Sequence, residues 1–192
     1  MAALHAAAFW FAALIFLART PYVLRNPRGR AAWGATGVGA LGLLTLGSVV
    51  PQTVLDGALG GSNLINLVQN VCATVAFWLM LRASTDDLPE RPMLAKPVAL
   101  LVVVVAFTVP FLLVEERGGT DFDFIVHGIA QTPMWFYATV YMVSVGLIAA
   151  TTLRRGVLQN PVALVVFRVG LALVVLASVD EVASLTADHF GV

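Results

Sequence analysis

The sequence predicts an all-α protein: a polytopic transmembrane helix bundle of about six spans, with both termini extracytoplasmic. Three observations carry that prediction. Hydrophobic residues make up 59% of the 192-residue chain and charged residues 11%, with mean hydropathy +0.90; a soluble domain carries about 25% charged residues, so this surface has no polar shell to wrap it in water. The apolar runs are continuous and of spanning length, suited to helices crossing a ~30 Å hydrocarbon layer rather than to the ~10-residue alternations of barrel strands. Nine of the eleven Lys and Arg residues fall in alternate connections, which orients the chain.

Six segments follow, at about 3–19, 31–50, 62–82, 97–114, 133–153 and 161–184, forming one transmembrane domain over 1–192. The first lacks the basic start of a signal peptide, so it is expected to remain as a span. It ends at Arg19-Thr20-Pro21, before a connection with Arg25, Arg28 and Arg30. Segment 2 ends at Pro51, and a short loop with Asp56 leads through Gly60-Gly61 to Ser62, the expected N-cap of segment 3. Arg82, Arg91 and Lys96 flank the next connection. Segment 4 ends near Glu115-Glu116, before a long loop in which Phe122, Phe124, Ile125 and Ile129 alternate with Asp121, Asp123, His127 and Gln131; that pattern predicts an interfacial helix. Segment 5 closes on Arg154-Arg155, and Pro161 opens segment 6 in a favourable first-turn position.

The cationic connections are placed in the cytoplasm of a bacterium, in its plasma membrane, with the N-terminus outside. Arg117 is the outer exception and Arg168 lies within segment 6. The single cysteine, Cys72, excludes an intrachain disulfide and a cysteine-based metal site.

Segment 3 carries the most distinctive chemistry. Asn63, Asn66, Asn70 and Thr74 step by three and four residues and share one helical face. An unpaired amide in an apolar medium costs roughly 2–7 kcal/mol, so this stripe needs partners. It is read either as interhelical hydrogen bonding or as an outward-opening polar cleft for a small ligand or ion. Segment 3 is accordingly expected to be the helix around which the other five pack. Asp180 and Glu181, ~28 Å along the last helix from Pro161 at 1.5 Å per residue, are placed near the outer interface, with at most one facing the bundle. Arg168, ~10 Å in, either snorkels to the cytoplasmic surface or pairs with a buried acceptor or a lipid headgroup. Gly170, the one glycine of segment 6, is its expected close-packing site. The histidines His5, His127 and His189 all fall outside and, with Asp121, Asp123 or Asp188, are weak candidates for zinc or copper, or as a pair for haem; their spacing is not diagnostic, so no metal and no cofactor are expected. Trp135, Phe136, Tyr137 and Tyr141 read as an interfacial aromatic belt, with a ligand box as the alternative.

No nucleotide loop, HExxH, GxSxG or paired mid-membrane carboxylate occurs, and the only lysine, Lys96, lies in a cytoplasmic connection, which removes a retinal Schiff base. An enzyme is not expected. Four stretches carry a resemblance: LRNPRGRAAW, LGGSNLINLVQN, TDFDFIVHGIAQTPMWFYATVYM and FRVGLALVVLAS. Together they resemble the membrane region of actinobacterial multi-pass proteins of unknown function, often labelled transporters. That resemblance implies a seven-span bundle with a cytoplasmic extension; this chain is expected to lack the last span and that tail. It implies no catalytic residue. The expected role is an accessory or regulatory subunit whose partners are the bilayer, other membrane subunits or further copies, with no nucleic acid. The alternative is a small transporter or ligand-binding sensor using the segment 3 stripe.

Overall fold

The computed structural model describes residues 2–26, 29–115, 117–156 and 161–191. Arg28 and Glu116, which the sequence assigns to opposite sides, lie outside them. Among the described residues every regular element is a helix: α1 (Ala2–Arg25), α2 (Arg30–Leu44), α3 (Gln52–Ala58), α4 (Leu64–Ser84), α5 (Pro97–Leu112), α6 (Phe124–Gly128), α7 (Thr132–Arg155) and α8 (Pro161–Phe190), with a 3₁₀ turn at Met93–Ala95. Four of these, α1, α4, α7 and α8, are long and apolar enough to cross a membrane. The helices α2 and α5, at 15 and 16 residues, are shorter than the ~20 residues a perpendicular span requires.

Several boundaries depart from the sequence reading for local reasons. Pro21 does not end the first helix. It lies inside α1, where the adjoining turn is tied to α2: the Phe16 carbonyl accepts both Thr20 Oγ1 (2.8 Å) and Trp33 Nε1 (3.1 Å). Segment 2 stops at Leu44 rather than at 50, because the chain turns at Gly47 (φ 76°). A Cβ there would sit 3.2 Å from the Gln52 backbone nitrogen. The loop after it is not loop throughout, since Gln52–Ala58 is helical. The interfacial helix expected between Glu115 and segment 5 shrinks to the five residues of α6, with Phe124 buried and Phe122 exposed.

The last helix runs six residues beyond its expected end at 184, to Phe190. Its extra turns are anchored: Leu185 is buried, Thr186 accepts a bond from Trp135 Nε1 (3.3 Å), and His189 Nδ1 meets the Ile129 carbonyl at 2.8 Å.

Packing runs in a row, α1 on α2, α2 on α4, α4 on α7, and α7 on α8, with α5 filling the angle between α4 and α7. Segment 3 is therefore not the hub of all the others. Two central helices, α4 and α7, share that place, and α1 and α8 are edges. The main core gathers Phe107 and Phe111 of α5, Met134, Tyr137 and Ala138 of α7, Phe124, and Leu185 of α8. Tyr137 is its centre, fully buried and edge-on to Phe111 (5.1 Å) and Phe107 (6.3 Å). A second cluster, Trp78, Leu81, Ala95 and Ile148, closes the other end. The close approach of α7 and α8 is at Gly146, where an added Cβ would lie 3.0 Å from Ser178 Cβ. Gly170 has nothing within 4 Å of that position and is not the packing site the sequence suggests.

Candidate functional site

The polar residues of α4 belong to a knot that ties three chain segments together at one end of the bundle. Asp56, in α3, is fully buried. Its Oδ2 accepts the Asn63 backbone N–H (3.0 Å) and the Thr120 hydroxyl (2.8 Å), and its Oδ1 accepts the Ile65 N–H (3.0 Å). Those two backbone groups are unpaired donors of the first turn of α4, where the helix dipole also favours a negative charge. A carboxylate seven to nine residues upstream thus caps α4. Ser62 is not the N-cap; Asn63 holds that position with a left-handed backbone (φ 58°) and no side-chain capping bond to the backbone of its own helix.

Freed from capping, the fully buried Asn63 amide works across the chain. Its Nδ2 donates to the Arg117 carbonyl and to the Gly119 carbonyl (2.9 Å). Its Oδ1 accepts the Asp121 N–H (2.8 Å) and, more weakly, Asn66 Nδ2 (3.4 Å). Two donor and two acceptor sites are the full capacity of a carboxamide. Deeper along α4, Asn66 Oδ1 receives Gln52 Nε2 (3.5 Å) and its carbonyl receives the Tyr137 hydroxyl (3.3 Å). Asn70 Nδ2 donates to that same hydroxyl at 2.7 Å, while Thr74 Oγ1 bonds the Asn70 carbonyl one turn back (2.8 Å). Asn63, Asn66 and Asn70 are therefore engaged in holding α4 to α7, to α3 and to the loop ahead of α6, while Thr74 bonds only its own helix.

Beside the knot, a cavity of ≈ 410 Å³ opens between that loop and the start of α7, walled by Asn63, Asp121, Phe124, His127, Gln131 and Met134 among others. Much of its polar lining is bonded within the loop. Gln131 closes a two-way bridge with the Glu115 backbone (3.1 and 3.2 Å), and Arg117 lies over the Phe111 ring at 5.4 Å. His127 Nδ1 meets Asp121 Oδ2 at 2.6 Å. The hydrogen bond to Asp121 raises the His127 pKa above its ordinary 6.5, and the reciprocal bond, with a backbone bond from Asp123, holds Asp121 below the usual carboxylate value.

The other sequence candidates lie apart. No cluster of three metal-ligating residues occurs among the described residues. His127 pairs with Asp121, His189 stacks on Trp135 (5.1 Å, 10°), and His5 sits on α1 at the far edge of the row. The aromatic group divides, with Phe136 exposed and Tyr137 in the core. Arg168 is exposed on α8. Asp180 and Glu181 are both exposed, so neither faces the bundle, and neither makes a hydrogen bond or ion pair among the described residues. Nor do they sit at the end of their helix.

Register with α7 fixes their level. Trp135 is level with Thr186 and His189, and Gly146 with Ser178; Val143 shares a groove with Val179 and Val182. Asp180 is thus level with the neighbourhood of Val143, about 12 Å along α7 from Trp135 and about 17 Å from Arg154 at 1.5 Å per residue. Sequence reasoning counted from Pro161 alone and so placed the pair at the edge.

Comparison of the chain with family models, curated proteins and solved structures finds no match. The resemblance to actinobacterial membrane proteins accordingly rests on the sequence stretches quoted above.

Proposed function

We propose that the protein is a non-enzymatic, six-span integral membrane protein of the bacterial plasma membrane, N-terminus outside, acting as an accessory or regulatory subunit within a larger membrane assembly. The carrying observation is where its polar groups are satisfied. The inner stripe of α4 is consumed by its own neighbours, whereas both edge helices present unpartnered faces and α8 adds two unpaired carboxylates to its face. An apolar exterior alone suits lipid. Ionisable groups within a span are costly and mark interaction or transport pathways. The two short helices complete the count of six if the bilayer thins or flanking residues reach the interface. Gentle extraction from native membranes, followed by mass measurement of the intact complex, tests the reading; a strictly monomeric, partner-free species refutes it.

A second reading, a ligand-binding sensor or small transporter, is favoured by the ≈ 410 Å³ cavity at the outer end of the Asn63 stripe. It moves the site from a cleft along α4 to the loop above it. A panel of small polar solutes that leaves the thermal midpoint unchanged removes it.

A further inference from the structure

We infer that the outer face of α8 docks a transmembrane helix of another protein that carries a Lys or Arg opposite Asp180. The inference rests on the accessory-subunit reading and supplies the partner's chemistry.

Val162, Val166, Val169, Leu173 and Leu176 are all more than half exposed and recur at spacings of four and three. Asp180 takes the next position in that series, so one straight seam runs for five turns and ends on a carboxylate. This 3–4 spacing lets a second helix lie along the first, and a single polar residue in such a seam selects partner and register. Glu181, one residue on, is turned about 100° away from the seam.

Depth decides the chemistry. Trp135 marks the outer boundary of α7 and Arg154 the inner, ~29 Å apart, which matches the hydrocarbon thickness. Asp180 lies ~12 Å inside that outer boundary, near the midplane and facing outward. There the aqueous phase is out of reach for a side chain as short as aspartate, and among the described residues no cation comes to it. Arg168 is twelve residues away on the same helix, ~18 Å. Apart from Arg117 in the outer loop, the other cationic residues belong to the cytoplasmic connections.

A second copy fails as the occupant. Parallel helices related by a two-fold axis along the membrane normal meet at equal depth, which sets Asp180 against Asp180. Inverting one copy would set Arg168 at the outer boundary, still ~13 Å in depth from Asp180 and about 120° off the seam, and the lopsided distribution of Lys and Arg opposes two orientations. A separate helix with a cation at matching depth remains.

The test uses the whole protein in phosphatidylcholine vesicles, with energy transfer to a synthetic Leu/Ala transmembrane peptide. One peptide carries a single Lys about eight residues from its outer end, ~12 Å; its control has Leu there. Polar contacts between membrane helices predict a preference of about three- to thirty-fold for the Lys peptide. D180N should reduce it to within about twofold, and E181Q should leave it intact. Both substitutions are on exposed positions, and unchanged thermal midpoints will show the fold intact. Equal binding of the two peptides, or a preference that survives D180N, overturns the inference. Photocrosslinking from Leu176 in native membranes separates the two levels. A cross-link to another polypeptide combined with equal peptide binding refutes the charge pairing and keeps the accessory reading. No cross-link and no peptide preference refute both.

Discussion

Removing the Asp56 carboxylate should open the bundle at its α3–α4 junction. In D56A the N–H groups of Asn63 and Ile65, now 3.0 Å from carboxylate oxygens, lose their acceptor inside a fully buried pocket. Bonds to a charged group contribute about 1.5–3 kcal/mol each, so the two backbone donors alone account for about 3–6 kcal/mol. Thr120 adds little, because a hydroxyl can rotate to a new acceptor. At roughly 2–4 °C per kcal/mol for a chain of this size, the midpoint should fall by at least about 6 °C. D56N should cost about half as much: Oδ2 serves two of the three donors, and a carboxamide keeps one oxygen, so the amide group opposes only Ile65. The assay is thermal unfolding in mild detergent, read by a thiol-reactive dye on Cys72. That residue is the only cysteine and is partly buried between α4 and α2, where a Cβ on Gly42 would touch it at 3.5 Å. A D56A midpoint within about 1 °C of the parent would refute the assignment of Asp56 as the cap of α4.

Three further outcomes follow from the same geometry. Y137F removes the hydroxyl that takes the 2.7 Å bond from Asn70 and gives one to the Asn66 carbonyl, and should cost about 1–2 kcal/mol. T74A, whose hydroxyl bonds only its own helix, should cost visibly less; equal midpoint shifts in the two variants would sink the distinction. His127, observed by NMR, should titrate above 6.5 and return toward that value in D121N. The raised His127 pKa makes its contribution complete below pH 6.5 and lost as pH rises through the folded value. The lowered Asp121 pKa makes its contribution complete above 3.8 and lost as pH falls through its own, so the pair is strongest between the two. G37A should destabilise by about 1–3 kcal/mol through overpacking, because the added Cβ would lie 2.5 Å from a Phe16 ring that stacks on Trp33 at 4.5 Å; an unchanged midpoint would mean that ring is free to move.

What the sequence makes legible is set by the range of the interactions. Apolar runs exposed the long helices, and the spacing of Asn66, Asn70 and Thr74 placed those three on one face of α4, whereas Asn63 stands just ahead of the helix as its N-cap with a left-handed backbone. Their partners were out of reach, since Asn70 finds Tyr137 sixty-seven residues later and Asp56 finds Thr120 sixty-four residues later. Asp56 looked like an ordinary loop acid beside Ser62, a good local cap. Tertiary contact overrode that local preference: the Asn63 backbone turned left-handed, and the cap came from α3. The end of α8 was missed for a related reason. Ser184 to Phe190 are weakly apolar alone and are held as helix where Trp135 Nε1 donates to Thr186 Oγ1 and His189 Nδ1 meets the Ile129 carbonyl.

That extension changes what the carboxylates at 180 and 181 signify. On a helix ending at 184 they are interfacial and cheap. On one running to Phe190 and levelled by Trp135, they stand about 12 Å inside the bundle's end and face outward. Within the fold, the buried Asn63 amide is satisfied to its full capacity. Asp180 receives no such treatment, although Ser178, two residues away, packs closely against Gly146. Asn63 thus has four side-chain hydrogen bonds and the outward-facing Asp180 none among the described residues, and the basic partner helix we propose would supply the missing complement.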